Sequence, residues 1–189
     1  MIRTLTACAA ALAFVAPALA DDEGWEIRVG VTAHDLAEHV EDGPNLTLGA
    51  ATPSLGGPDW FFNPRAYVYG SFNTQGLTNF GGAGLEWDAD LSDRLSLNLG
   101  LGLVYHDGVN DIDPNSPPSD PNRIRLATTR ALLGNNILFH TTLALDYEVA
   151  ENLVVGAYYE HISHGQILAT GRNQALDNVG VRVGWRFGR

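Results

Sequence analysis

Apolar and polar residues alternate along most of the chain with a period of two. Trp25, Ile27, Val29, Val31 and Ala33 share one face of a run whose other face is Glu26, Arg28, Gly30, Thr32 and His34. Leu95, Leu97, Leu99, Leu101, Leu103 and Tyr105 stand opposite Arg94, Ser96, Asn98, Gly100, Gly102, Val104 and His106. Ile137 to Val149 sets Ile137, Phe139, Thr141, Leu143, Leu145, Tyr147 and Val149 against Leu138, His140, Thr142, Ala144, Asp146 and Glu148. From Asp177 to Phe187, Val179, Val181, Val183, Trp185 and Phe187 oppose Asn178, Gly180, Arg182, Gly184 and Arg186. Runs of this kind are half-buried strands, each long enough to cross a bilayer when tilted.

The pattern predicts eight strands, at 25–35, 45–52, 65–73, 78–90, 94–107, 137–149, 152–163 and 177–187, and no helix of any length. Pro44, Pro53, Pro58 and Pro64 blur the second and third. Leu91-Ser92-Asp93 and Ala150-Glu151 read as tight turns, whereas 108–136 and 164–176 are long connections rich in Asp, Asn, Gly and Pro. An even strand number brings both termini to the tight-turn side, the asymmetry of outer-membrane barrels. Trp25, Trp87, Tyr147, Trp185 and Phe187 cluster toward that side, as an interfacial girdle would. The expected fold is therefore all-β, an eight-stranded antiparallel transmembrane β-barrel filled by its own polar side chains. A soluble lipocalin-like barrel is the alternative, since it too has eight alternating strands. The large apolar residues on one face and Gly with charges on the other favour lipid outside.

The first twenty residues read as a cleaved signal peptide (Arg3, an apolar stretch, then Ala18-Leu19-Ala20), leaving residues 21–189 as one barrel domain. Leu5-Thr6-Ala7-Cys8 precedes the apolar stretch, the wrong order for a lipoprotein box. Cys8, the only cysteine, leaves with the signal, so the mature chain has no disulfide, thiolate metal site or cysteine nucleophile. Acidic residues outnumber basic ones 22 to 11, every basic residue is Arg, and loss of Arg3 takes the formal charge from −11 to −12. Such a chain is a poor partner for nucleic acid. Its apolar content argues against disorder.

Candidate chemistry gathers on the last two strands. Parity carries the outward face of strand seven into His161 and Ser163, and that of strand eight into Asp177. Polar groups on a lipid-facing surface call for a reason. A hydroxyl, a base and a carboxylate are the ingredients of a nucleophilic triad. The same three could instead be a headgroup-level polar cluster satisfied by phosphates and water, and His-x-Ser alone does not decide.

Tyr159-Glu160-His161-Ile162-Ser163, followed by Gly165, Asn173 and Asp177, resembles the lipid A 3-O-deacylase family of the PagL type. Tyr105-His106-Asp107-Gly108, and Leu133-Gly134 with Leu138-Phe139-His140, are similar to further signatures of that family. The resemblance implies an eight-stranded outer-membrane esterase that removes the 3-hydroxyacyl chain at position 3 of lipid A. It implies His161 as the base, Ser163 as the nucleophile and Asp177 as the acid, with lipid A of the outer leaflet as partner and no cofactor or metal. Asp177 stands where the family usually has Glu, one methylene longer, and His164 where it usually has Asn near the oxyanion site. Amides around His164 and Gly165, or the His164 ring, are the expected oxyanion donors. A second copy of the chain stays open as a partner. A non-enzymatic structural or adhesive barrel is the other function class, with the long acidic loops as its working parts.

Other features read as structural. Asp111, Asp113 and Asn115 mimic the start of a calcium loop, but Pro114 and the missing sixth-position Gly oppose it. His34, His106 and His140 fall on lumen positions and His39 in a loop, with no shared metal spacing. Glu160 and Arg182, inward on adjacent strands, are expected to form an ion pair in the lumen.

Overall fold

The structure is a computed structural model that describes residues 24–58 and 61–188. The expected signal peptide lies outside the described residues. Eight strands follow the alternation: β1 (Trp25–Ala33), β2 (Pro44–Ser54), β3 (Arg65–Asn73), β4 (Phe80–Ser92), β5 (Leu95–His106), β6 (Ile137–Ala150), β7 (Leu153–Ser163) and β8 (Leu176–Phe187). Each pairs antiparallel with the next, and β8 closes on β1 through nine residue pairs that include Val29 opposite Val183. A register shift between Ala51 and Ser54 lets β2 run through Pro53, two residues past the expected end. Closure leaves no strand edge unpaired, which is what hydrocarbon demands.

The barrel is inverted relative to a soluble protein. On β1, Glu26 and Arg28 are 2% and 8% exposed while Ile27 and Val29 are 47% and 52% exposed. Leu46 and Leu48, Leu99 to Leu103 at every second position, and Val179 to Val183 likewise point outward and lie bare. A soluble barrel would bury these side chains, so the alternation selects the membrane architecture over the lipocalin-like one.

Charge fills the lumen at the turn end. Arg28 grips Glu86 through two hydrogen bonds of 2.6 and 2.7 Å, and Arg65 and Arg186 converge on Glu26 at 3.3 and 3.0 Å. Buried charges survive in such a space only when paired in this way. The expected Glu160–Arg182 pair does not form. Glu160 faces Asn178 in the register, whereas Arg182 faces Gly156, four positions down β7, and Arg182 bonds Asp146 at 2.5 Å instead. Glycine makes room for the large side chains: a Cβ would lie 2.7 Å from the Tyr67 ring at Gly84, and 2.5 Å from its hydroxyl at Gly102.

The other end is plugged. Ala131, Leu132 and Leu133, from the β5–β6 connection, are fully buried, and Ala131 and Leu133 pack with Phe80, Val104, Leu138, Ile162 and Leu176. Glu41, in the β1–β2 connection, ties three loops together. It meets His34 at 3.1 Å, accepts from the Thr78 amide at 2.9 Å and hydroxyl at 3.0 Å, and takes Arg130 at 2.9 Å. Burial alone would raise the pKa of this carboxyl; the bonds from His34 and Thr78 and the attraction of Arg130 outweigh it and hold the pKa down at about 2.

One expectation fails outright. The β5–β6 connection contains a helix, α1 (Pro121–Thr129), with Asp120 as its cap accepting from the Asn122 amide and Pro at its start. None of its residues is buried, so it has no apolar stripe for periodicity to reveal. Its end signals, Asp then Pro, were the legible ones.

Candidate active site

β7 and β8 are neighbours, and their register sets His161 directly opposite Asp177. Ser163, two residues further along β7, points to the same side because strand side chains alternate. The three make a chain of contacts: His161 Nδ1 lies 2.8 Å from Asp177 Oδ1, and His161 Nε2 lies 3.0 Å from Ser163 Oγ. One ring nitrogen is thus engaged by the carboxylate and the other by the hydroxyl, as proton transfer from Ser to His requires. The His161 side chain is 35% exposed and that of Asp177 18%, so the group opens outward at the loop end of the barrel. Chemically, the arrangement can raise the nucleophilicity of an alcohol toward a carbonyl arriving from the outside.

Hydrogen bonds around the site hold the two strands in place. The Leu36 amide, from the β1–β2 connection, donates to the Asp177 carbonyl at 2.8 Å. Behind the site, on the lumen face, Asn178 donates to Glu160 at 2.9 Å across the neighbouring register pair. Leu132 and Gln174 exchange two bonds, of 2.9 and 3.1 Å, which fasten the plug to the β7–β8 connection.

His164 has a different task from the one its position suggested. It is fully buried, its Nε2 meets the Arg172 carbonyl at 2.8 Å, its Nδ1 accepts from the Gln166 amide at 3.1 Å, and its own amide donates to Asn173 Oδ1 at 3.1 Å. With the ring and the amide both occupied, His164 shapes the loop and has no donor to spare for an oxyanion. Gly165, at φ +60°, takes the left-handed turn that carries the chain out of β7. In the turn that follows, Gln166 donates to the His164 ring, and Ile167 and Leu168 both donate to the His164 carbonyl. Among the described residues, the Gly165 amide has no such acceptor.

Sequence reading overlooked Tyr159. By parity it is one more outward residue of β7, yet its hydroxyl donates to Asp177 Oδ1. Parity put it on the correct face, but the contact depends on where the β8 side chain turns. Among the described residues no group of three or more His, Cys, Asp or Glu could hold a metal ion, Asp111 and Asp113 included.

A family model described as lipid A 3-O-deacylase (PagL) matches residues 49–186, which spans β2 to β8 and every residue of this site. The chain belongs to the PagL family. Its barrel also resembles solved structures. The crystal structure of the outer membrane enzyme PagL aligns with a TM-score of 0.57 at 12% identity, over 86% of this chain and 99% of that one. Neisserial surface protein A aligns with a TM-score of 0.57 at 15% identity, over 87% and 97%. The N-terminal barrel of Pseudomonas aeruginosa OprF gives 0.53 at 11%, over 87% and 98%. At such identities the likeness is one of fold, and it is the fold of eight-stranded outer-membrane barrels. No curated protein sequence gives a significant match.

Proposed function

We propose that this PagL-family barrel is an outer-membrane esterase that hydrolyses the 3-hydroxyacyl ester at position 3 of lipid A through Ser163, His161 and Asp177. The observation that carries the reading is the unbroken Asp177–His161–Ser163 chain of hydrogen bonds on the lipid-facing surface of a barrel from that family. Lipid A occupies the outer leaflet, with its ester linkages near the headgroup boundary. The loop end of the barrel's outer wall is where a group acting on those esters has to stand.

In this mechanism Ser163 Oγ attacks the ester carbonyl while His161 Nε2 takes its proton. The imidazolium is stabilised by Asp177, which also keeps Nδ1 protonated in the resting state. The tetrahedral oxyanion is met by the Gly165 amide. Collapse expels the sugar 3-oxygen, which recovers the proton from His161. Water, deprotonated by the same nitrogen, then frees the 3-hydroxy fatty acid from Ser163.

The test is the mass of lipid A from a host with intact lipid A that expresses the full chain. Loss of one hydroxyacyl group, abolished by Ser163→Ala, supports the esterase. Unchanged lipid A around a folded barrel favours the structural or adhesive reading.

A further inference from the structure

Two hydroxyls and one imidazole stand on the outward face of β7, and only two of these groups are used above. Tyr159 stands two residues before His161, opposite Val179. Its hydroxyl donates to the same oxygen of Asp177 that faces His161 Nδ1. Both donors therefore come from one strand at a fixed spacing, and the acceptor comes from the next. The Asp177 main chain is held separately, by the Leu36 amide at 2.8 Å from its carbonyl.

A phenol at the lipid boundary seeks a polar partner in any case. That need does not explain the choice of partner. A carboxylate held by His161 alone is fixed by a single hydrogen bond and can still turn about the Cβ–Cγ bond, with 18% of its side chain open to the outside. The Tyr ring is rigid and anchored in a sheet, so a second donor from it removes that rotation. We propose that Tyr159 is a positioning residue: its hydroxyl locks the Asp177 carboxylate in the orientation that turns His161 toward Ser163. The role rests on the reading of these three residues as the reacting groups.

The experiment is a double-mutant cycle on the full chain folded in detergent, with purified lipid A in mixed micelles and product followed by mass spectrometry. Tyr159→Phe keeps the ring and suits the lipid face, and heat-modifiable migration verifies that each variant is folded. Loss of a hydrogen bond to a charged group should lower kcat roughly tenfold. KM should stay near that of the parent, because the hydroxyl donates its hydrogen bond to Asp177. In an Asp177→Ala background the same change should have no further effect, since the group it orients is gone. Unchanged kcat in Tyr159→Phe, or losses that multiply with that of Asp177→Ala, overturn the positioning role while leaving an active parent. A folded parent inactive on lipid A defeats the esterase reading and this role with it.

Discussion

Glu160 Oε1 accepts a hydrogen bond from Asn178 Nδ2 at 2.9 Å, directly behind the strands' outward pair His161 and Asp177. The two pairs occupy adjacent registers on opposite faces of one sheet. Glu160 also meets His140 at 3.1 Å, which reaches Tyr67 at 2.9 Å on β3, and Asn178 Oδ1 accepts from the Asp35 amide at 2.9 Å. The lumen network thus braces the site strands against the opposite wall and the β1–β2 connection.

Removing one member should loosen that brace. Asn178→Ala strands a Glu160 oxygen and the Asp35 amide in a buried setting, at a cost of about 1–3 kcal/mol. The temperature at which the folded band disappears in unboiled gels should fall, and esterase activity should drop several-fold while remaining well above that of Ser163→Ala.

At the site itself, Ser163→Ala and His161→Ala should each lose roughly 10³-fold or more in activity, because members of such a unit act together. Asp177→Asn should cost less than either. Asp177→Glu should lower activity as well: Oδ1 already lies 2.8 Å from His161 Nδ1, so an added methylene overshoots. Initial rates on lipid A rank the four variants, and a gain in Asp177→Glu would refute the geometric argument.

The lumen has no room to spare at Gly156. The Asp146 carboxylate, held by Arg182, occupies the space where a side chain at Gly156 would begin. Gly156→Ala should destabilise the barrel by about 1–3 kcal/mol through overpacking. Urea titration of the folded fraction in detergent would measure it, and Gly171→Ala makes a contrasting control, since nothing lies within 4 Å of a Cβ there, though its φ of +107° adds local strain.

Glu41 makes the plug sensitive to acid. Its carboxyl sits at about 2 in the folded protein against 4.5 for the free group, so its contribution is complete above 4.5 and disappears as pH falls through 2. The shift corresponds to about 3 kcal/mol. Hydrogen exchange at the Ala131 and Thr78 amides, both donors to Glu41, should accelerate in that window relative to strand amides. Glu41→Gln should show the looser loops already at neutral pH.

Period-two alternation is a local property, and it was enough to determine the strands, their inward and outward faces, and the even count that puts both chain ends at one rim. It also placed His161, Ser163 and Asp177 on one surface, because parity survives any uncertainty in strand ends. Which inward charges meet was a matter of register and of free volume between walls. Glu160 and Arg182 share a face of adjacent strands, yet Gly156 lets Asp146 reach Arg182 and Asn178 takes Glu160. The helix at 121–129 escaped because it buries none of its residues, so only its caps marked it. The plug at Ala131 to Leu133 and the Tyr159 bond to Asp177 join residues from different loops or strands, and the capture of His164 by Arg172 and Asn173 depends on how the β7–β8 connection folds back on itself. Contacts of that kind depend on barrel closure and on how each side chain turns within it, and only the tertiary structure decides them.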